Sequence, residues 1–462
     1  MAYNRSRLDA DVKALAGLPV FVAYNANVDG IVRVDAELGA ALDRPTEPGE
    51  RAPPSRLASK RDLATAITHT MATGQGDEVA MTDAFAAALE ADLEPDSQQL
   101  GGQTGIMTNL VAALGAAPIA YTYLLSERQR ALFEHPEAIR YPAVEDGAVQ
   151  FVPLREAPVA DRTKLNWVFE FGAGDQLFGV RASEDTRFIA ASRPPEFDLT
   201  AGDLDAHVDQ VGEVVEGALL AGYHNLTPDH VEGSYDERLR HARDVLRRFR
   251  SGDDPKVHIE YATTHDDDLR ASIYEWILPE ANVVGTDTRE LALLCDDADL
   301  DLADDEPTEE TPFETGEILA HYRMLAALRE ELGVECIRVH AMEYHLAVLD
   351  SYLTPAAVRR GLEFAAVNAA AKAHHGDITA PDDLDAGLQY DRSDAGAAAI
   401  ERLADHLDET VDDGTLCTPS VVACPNRVVD EPAGTVGIGD VVSASSFVLE
   451  LAAAAERGDA DA

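Results

Sequence analysis

The sequence predicts an α/β protein built in layers around a mostly parallel sheet, with a small β-rich lid. Short apolar runs typical of buried strands alternate with longer amphipathic stretches typical of helices. With 462 residues and a 46% apolar composition, the chain can bury a large core and an appended smaller one. Two stretches, at roughly 30–60 and 145–195, break the alternation. They predict a lid inserted as discontinuous segments into one domain that spans 1–462.

The predicted core strands are apolar runs bounded by polar or turn-forming residues. In chain order they are 18–24, 119–124, 218–222, 257–261, 282–285, 336–340 and 346–349. Amphipathic helices are predicted between several of them, at 236–249, 266–278 and 315–332. In the lid, the pattern predicts three strands, at 149–152, 167–171 and 187–190.

The charge of the chain restricts its partners. The sequence has 37 basic against 85 acidic residues, for a net charge of −48, and only five residues are lysines. An acid excess spread along the whole length keeps a hydrated surface in concentrated salt, where the Debye length falls to roughly 3 Å at 1 M. We therefore expect a salt-adapted, halophilic cytoplasmic protein. Nucleic acid and anionic membranes are not expected as partners, because they bind clustered lysine and arginine.

Cysteine usage and hydropathy agree with an intracellular protein. The four cysteines form no Cys-x-x-Cys pair and are interpreted as reduced thiols. No segment has the ~18 uninterrupted apolar residues of a membrane helix, and the N-terminus lacks the apolar stretch of a signal peptide. The acidic stretch 295–311 is interpreted as a solvated loop, since the EF-hand order of ligands and glycine is missing.

Two polar groups follow predicted strands or open helices, where open α/β sheets bind ligands. Asn25, Asn27 and Asp29 alternate directly after the first strand, and their side chains could bind sugar hydroxyls. The alternative is a polar turn with local capping. Gly102 and Gln103 open a helical run, and a glycine there would let a polyol approach the backbone. A plain helix start would look the same.

Carboxylates follow two neighbouring predicted strands. Glu260 ends one strand in the pattern His258-x-Glu260, and Asp287 and Glu290 follow the next, one helical turn apart. Converging carboxylates suit Mg²⁺, which keeps several waters and takes only one or two protein oxygens. The alternative for each pair is a solvated face.

A glycine-containing loop near the C-terminus runs into a helix. Gly437, Ile438 and Gly439 precede Asp440, so bare backbone N–H groups and a helix N-terminus meet at one point. That point could hold a phosphoryl group while the Asp440 carboxylate takes a proton from an attacking hydroxyl. The alternative is a tight turn in which Asp440 only caps the helix.

Taken together and in order, these motifs resemble the archaeal ADP-dependent glucokinase/phosphofructokinase family of the ribokinase-like superfamily. The likeness runs from about Val20 to the C-terminus. It rests on Asn27-x-Asp29, Gly101-Gly102-Gln103, Phe169-Glu170-Phe171, Gly222-Tyr223, His258-x-Glu260 and the segments 425–432 and 435–440. The resemblance implies a ribokinase-like three-layer αβα sandwich with a small β-rich lid.

The resemblance also implies the reaction. A family member transfers the β-phosphoryl group of ADP to a sugar and releases AMP, with Asp440 as catalytic base and Mg²⁺ as cofactor. The backbone N–H groups of Gly437, Ile438 and Gly439 would form the anion hole. The family further implies nucleotide contacts at Asn426 and Arg427.

The same family pattern implies the metal site. Mg²⁺ would lie at Glu260, Asp287 and Glu290. The family's Asn-Glu-x-Glu element reads Asp287-Thr288-Arg289-Glu290 here, which puts its metal arrangement in doubt at Thr288.

The resemblance leaves the acceptor open between fructose 6-phosphate and glucose. Lys164 matches a basic position of the phosphofructokinase branch, and Arg187 or Arg193 could hold the same sugar phosphate. Glu78 lies near the position of a glucose-binding Glu. Two other readings stay open: an ATP-dependent ribokinase-like kinase, and a non-catalytic sugar or nucleotide sensor. We expect a monomer or small homo-oligomer.

Overall fold

The computed structural model describes residues 3–461 apart from 197, 198, 200, 201, 232, 299, 301–316 and 435. Most of the acidic stretch 295–311 and Thr435 of the glycine-containing loop lie outside the described residues. The strands are β1 Pro19–Tyr24, β2 Asn27–Arg33, β3 Asp77–Ala80, β4 Ser97–Gly101, β5 Ala117–Ala120, β6 Arg140–Glu145, β7 Ala148–Pro153, β8 Leu165–Phe171, β9 Gln176–Leu177, β10 Val180–Arg181, β11 Thr186–Ala191, β12 Gly217–Ala221, β13 Lys256–Glu260, β14 Val283–Thr286, β15 Cys336–His340, β16 Tyr344–Leu349, β17 Val411–Asp412, β18 Thr415–Cys417 and β19 Val421–Pro425.

The α-helices lie between these strands, as the alternating pattern predicts. They are α1 Arg5–Ala14, α2 Ala36–Ala41, α3 Lys60–Thr73, α4 Asp83–Asp92, α5 Gln103–Ala113, α6 Glu127–Arg130, α7 Asp209–Gly212, α8 Tyr235–Phe249, α9 Asp267–Trp276, α10 Thr288–Asp297, α11 Glu317–Leu332, α12 Pro355–His375, α13 Leu384–Gly387, α14 Asp394–Leu407 and α15 Ile438–Asp461.

Twelve strands form one large sheet. Their order is β17-β18-β19-β16-β15-β14-β13-β12-β1-β5-β6-β7. Neighbours are parallel from β5 through β15, while β16 and the strands beyond it pair antiparallel. Parallel strands bring their carboxyl ends to one edge, so the residues that follow β1, β12, β13 and β14 come together there.

Helices cover both faces of this sheet, each over its own apolar cluster. α1, α5, α12 and α15 pack on one face, and α8, α9, α10, α11 and α14 pack on the other. Helix α8 illustrates how these helices form and pack on the sheet. The Ser234 side chain caps its first turn, and its buried residues recur about every three or four positions and so lie on one face. The predicted αβα sandwich with a mostly parallel sheet is confirmed.

Helix α15 is the central helix of its layer. Small buried residues let it approach α12 closely: a Cβ at Gly361 of α12 would lie 2.7 Å from the Ser446 carbonyl oxygen. The guanidinium of Arg338 in β15 donates to the buried Glu450 carboxylate at 2.9 Å, which ties α15 to the sheet. By length and composition, the segment Ile438–Glu456 could also span a membrane, but 72% of it is buried inside the protein. A core helix passes the same test.

Five strands form a second, smaller sheet in the order β3-β11-β8-β2-β4. Its apolar face packs against α3 and α4. The predicted strands at 167–171 and 187–190 are found here as β8 and β11. Whether this sheet acts as a lid domain stays a prediction.

The structure corrects several sequence-based assignments near this sheet. The strand predicted at 149–152 is β7, which belongs to the large sheet because it pairs along its length with β6. The pattern missed β2, β3 and β4. Most side chains of β3 and β4 are exposed or only half-buried and leave no apolar run, and β2 begins with the polar residues Asn27 and Asp29. The strand predicted at 119–124 ends at Ala120.

Candidate active site

The site lies where the chain crosses between the two sheets. β1 of the large sheet ends at Tyr24 and β2 of the small sheet begins at Asn27, so Asn25 lies in the crossing. The chain returns at Gly101, where β4 ends and α5 begins two residues later. A cavity of about 700 Å³ opens at this point, lined by residues of both sheets and by the N-terminus of α15.

The N-terminus of α15 leaves its backbone open to the cavity. Gly437 has φ +73°, and a Cβ there would lie 2.7 Å from the Ile106 side chain. A Cβ at Gly439 would lie 2.6 Å from Nε2 of His340. The positive φ favours glycine at Gly437, and a side chain at Gly439 would have to displace His340. The first N–H groups of the helix are available to an anion.

Asp440 stands in the first turn of α15 and lines the same cavity. Burial raises the pKa of its carboxyl to about 7, although Lys372 and a hydrogen bond with Gln103 act in the opposite direction. A carboxyl with a pKa near neutrality, beside open backbone N–H groups, can accept a proton from a bound hydroxyl.

The amide group after β1 lines the same cavity. The Asn27 amide donates to Oδ1 of Asp29 at 2.6 Å. Burial raises the pKa of Asp29 to about 7, and the charge of Glu78 acts in the same direction. Gly102, with φ +76°, packs here so closely that a Cβ would lie 2.6 Å from the Asn25 carbonyl oxygen. The five residues predicted to bind the sugar all line this cavity, and their contact with a sugar stays a prediction: Asn25, Asn27, Asp29, Gly102 and Gln103.

Three further carboxyl groups line this cavity. Glu260 Oε2 lies 3.0 Å from Nε2 of His258. Asp287 and Glu290 form a reciprocal cap at the start of α10: the Asp287 N–H donates to Glu290, and the Glu290 N–H donates to Asp287. Burial raises the pKa of Glu260 and of Glu290 well above the usual range, and the charge of Asp440 raises both further.

These carboxyls fit a magnesium ion. They supply hard oxygen donors that disfavour one another's ionisation, and a bound cation would relieve that repulsion. Across the described part of the chain, no set of three or more histidine, cysteine or acidic side chains is already arranged around a metal position. Mg²⁺ does not need such a set, because it keeps several waters.

Another part of the cavity wall contains Asn426 and Arg427 together with several apolar side chains. The Asn426 amide donates to the Met342 carbonyl oxygen at 3.0 Å, and its Oδ1 accepts from the Arg427 N–H at 2.8 Å. The Arg427 guanidinium donates to the Tyr390 carbonyl oxygen. Apolar side chains complete this wall: Ala369, Ala373, Val428, Val429, Pro432 and Ile438.

A model of the ADP-specific phosphofructokinase/glucokinase conserved region matches residues 18–449 of the chain. The chain belongs to this family. An ADP-specific phosphofructokinase from Pyrococcus abyssi is 31% identical over 456 residues, which cover 93% of this chain and 96% of the relative. An ADP-dependent glucose/glucosamine kinase from the same organism is 28% identical over 444 residues, which cover 94% of each chain.

One solved structure is similar to this chain in both sequence and fold. It is an ADP-dependent kinase in complex with fructose 6-phosphate and ADPβS, 30% identical, with a TM-score of 0.81 over 97% of this chain and 96% of the other. The resemblance seen in the sequence, the ribokinase-like fold and the prediction of an ADP-dependent sugar phosphotransferase are confirmed.

The three basic residues predicted to hold a sugar phosphate lie in two different environments. Arg187 and Arg193 line a second cavity of about 1060 Å³, which adjoins the first, and Arg193 donates to Glu78 at 2.5 Å. Lys164 lines neither cavity; it is 1% exposed and donates to the side-chain oxygens of Asn25 and Asn225. Contact of these residues with a phosphate stays a prediction for this family member.

The sequence interpretation missed three histidines in the cavity wall. His224 lies just after the Gly222-Tyr223 pair, His340 ends β15, and His345 lies opposite it on β16. His224 and His340 could have been predicted as site residues, because each lies at or just after the end of a strand. For His345 there was none, because an alternating strand pattern does not tell which face meets a cavity.

Proposed function

We propose that this protein transfers the β-phosphoryl group of ADP to fructose 6-phosphate and releases AMP. The observation that carries the proposal is the position of Asp440. Its half-buried carboxyl lies beside the open N–H groups of α15 and shares one cavity with the polar group Asn25, Asn27 and Asp29. Family membership makes the protein an ADP-dependent sugar kinase; the acceptor, the metal and the residue roles are the proposal.

The acceptor hydroxyl binds between Asp29 and Asp440. The Asp440 carboxylate accepts the hydroxyl proton while the hydroxyl oxygen forms a bond to the β-phosphorus of ADP. The bond from that phosphorus to the oxygen bridging the α- and β-phosphates breaks, and its electron pair leaves with AMP. The N–H groups of Gly437, Ile438 and Gly439 stabilise the charge on the transferred group, since positioning and charge stabilisation supply most of the rate in phosphoryl transfer.

Magnesium completes the proposal. Glu260 and Glu290, with Asp287, would hold the ion directly or through water. When bound, Mg²⁺ neutralises charge on the phosphates of the nucleotide. Asn426 and Arg427 lie on the apolar side of the cavity and would contact the nucleotide there.

Fructose 6-phosphate is favoured as acceptor by Arg187 and Arg193, two guanidinium groups that line the adjoining cavity. Glucose is the second candidate. It is favoured by Glu78, whose carboxyl lines both cavities beside Asp29 and could accept from a sugar hydroxyl.

One assay tests the proposal. The protein is incubated in molar KCl with Mg²⁺, ADP or ATP, and fructose 6-phosphate or glucose, and the nucleotide products are separated by chromatography. AMP released only when ADP and fructose 6-phosphate are both present supports it. Sugar-dependent release of ADP from ATP would contradict the assignment of ADP as the phosphoryl donor. Nucleotide binding without turnover on any pair would identify a non-catalytic sensor.

Location and assembly complete the proposal. We expect the enzyme to act in the cytoplasm at high salt, as a monomer or small homo-oligomer, with ADP and the sugar phosphate as its partners.

A further inference from the structure

The buried Lys164 side chain fixes the orientation of an amide. Its Nζ donates to Oδ1 of Asn25 at 2.6 Å and to Oδ1 of Asn225 at 2.9 Å. Burial lowers the pKa of Lys164 well below its usual value. The amine carries at least two N–H groups whether charged or neutral, so both contacts hold in either state.

The Asn225 amide can be oriented in only one way. Its Oδ1 faces the lysine donor, and its Nδ2 donates to the Gly222 carbonyl oxygen at 3.1 Å. A carbonyl oxygen can only accept, so two independent partners agree on which atom is nitrogen. The same Nδ2 lies 3.1 Å from Nε2 of His224.

This contact determines the tautomer of His224. Because Nδ2 of Asn225 is a donor, Nε2 of His224 must accept, and the ring proton must lie on Nδ1. Burial lowers the pKa of His224 to about 3, so the ring stays neutral. His224 lines both cavities, and among the described residues no hydrogen bond to its Nδ1 is found.

We propose that His224 binds the acceptor sugar by donating its Nδ1 hydrogen to a sugar oxygen, and that Lys164 and Asn225 are positioning residues that hold the required tautomer. The inference rests on the proposed function. The sugar is the favoured ligand because His224 adjoins the polar group after β1: a Cβ on nearby Gly222 would lie 2.5 Å from Cβ of Asn25. Hydroxyl and phosphoryl oxygens are both acceptors for a neutral donor.

Two isosteric variants test the role of Nδ1. His224→Asn places an amide nitrogen near the position of Nδ1, whereas His224→Gln places one near Nε2. We expect His224→Gln and His224→Ala to raise the KM for the sugar about 5- to 15-fold, the scale of one hydrogen bond, while the KM for ADP stays constant. His224→Asn should restore most of the sugar affinity.

Two acceptors tell which oxygen is bound. An equal loss with glucose and fructose 6-phosphate places the contact on a hydroxyl, and a loss confined to fructose 6-phosphate places it on the phosphate. Both support the proposal. Retention of sugar affinity by His224→Gln together with its loss in His224→Asn would overturn it, as would unchanged sugar KM in His224→Ala.

Nitrogen NMR of the unmodified protein with labelled histidine tests the tautomer without turnover. We expect a protonated Nδ1 and an unprotonated Nε2 for His224 across pH 6–8, and a change in the Nδ1 resonance when fructose 6-phosphate or glucose is added without ADP. Asn225→Asp, which replaces the donor with a carboxylate oxygen, should move the proton to Nε2 and raise the sugar KM.

The two proposals fail in different ways. A protonated Nε2 in the unmodified protein, or no change at Nδ1 with either sugar, rejects the role of His224 even if the enzyme is active. Absence of ADP-dependent turnover rejects the proposed function, whatever the tautomer.

Discussion

Replacement of Asp440 by Asn is the most direct test of the catalytic assignment. The amide keeps the shape of the side chain but cannot accept the proton of the attacking hydroxyl. With a carboxyl pKa of about 7, about nine-tenths of the molecules carry the carboxylate at pH 8, so nearly the whole population can act as base in the unmodified enzyme. Loss of a general base costs about 10²-fold or more in kcat, equivalent to about 2.7 kcal/mol or more in the activation barrier.

Folding should not suffer in this variant. Burial raises the carboxyl pKa above its value in the unfolded chain, so ionisation of Asp440 costs stability as pH rises from about 4 to about 7. An uncharged amide removes that cost. We therefore expect the Tm of Asp440→Asn at pH 8 to equal or exceed that of the unmodified protein.

Asp29→Asn is the matched control, because burial raises the pKa of Asp29 to about 7 in the same cavity. Asp29 belongs to the polar group proposed to bind the sugar, so we expect Asp29→Asn to raise the sugar KM with a smaller loss of kcat. The assay follows AMP release at saturating ADP and sugar, with nucleotide affinity measured separately by titration calorimetry. Near-normal kcat in Asp440→Asn would remove Asp440 from the mechanism. An equal loss of kcat in Asp29→Asn would show that the loss in Asp440→Asn is not specific to the base.

Four further outcomes follow from the same site and surface. Because Asp440 must be ionised to act as base, kcat/KM should rise with pH through about 7 and then level off; a profile flat from pH 6 to 8 would contradict the base role. Glu290→Gln keeps an oxygen for the Asp287 N–H and so preserves the helix cap, but should raise the Mg²⁺ concentration needed for half-maximal activity; an unchanged requirement would place the ion elsewhere. Lys164→Ala should raise the KM for fructose 6-phosphate and glucose alike, since the amine holds two amides, and a loss confined to fructose 6-phosphate would instead indicate a phosphate contact. The Tm should rise between roughly 0.1 M and 3 M KCl, because a net charge of −48 repels itself when the Debye length reaches about 10 Å; an unchanged Tm would refute salt adaptation.

The parallel core was predictable because its strands are buried on both faces. Such strands read as nearly continuous apolar runs, as Pro19–Tyr24 and Gly217–Ala221 do. The small sheet was less predictable. Its edge strands Asp77–Ala80 and Ser97–Gly101 are short and mostly half-buried or exposed, so they carry little apolar signal and depend on their neighbours for pairing.

Much of the site was predictable for a geometric reason. Asn25, Glu260 and Asp287 each follow or end a parallel strand, and all three line one cavity. What the sequence could not indicate is the direction of a side chain once packed. Nothing in the sequence indicated that the Lys164 amine donates to two amides, and His224 went unnoticed although it lies beside one of them.

The buried carboxyls explain how so acidic a chain can receive an anionic substrate. Asp29, Glu260, Glu290 and Asp440 line the cavity, and burial raises the pKa of each. In water all four would be ionised at neutral pH and would repel a nucleotide diphosphate. In this cavity, each charge that forms makes the next harder to form, so the site takes up protons or a cation in place of full ionisation. If the proposed function holds, this uptake of protons or a cation would let the cavity accept phosphate despite the acidity of the chain.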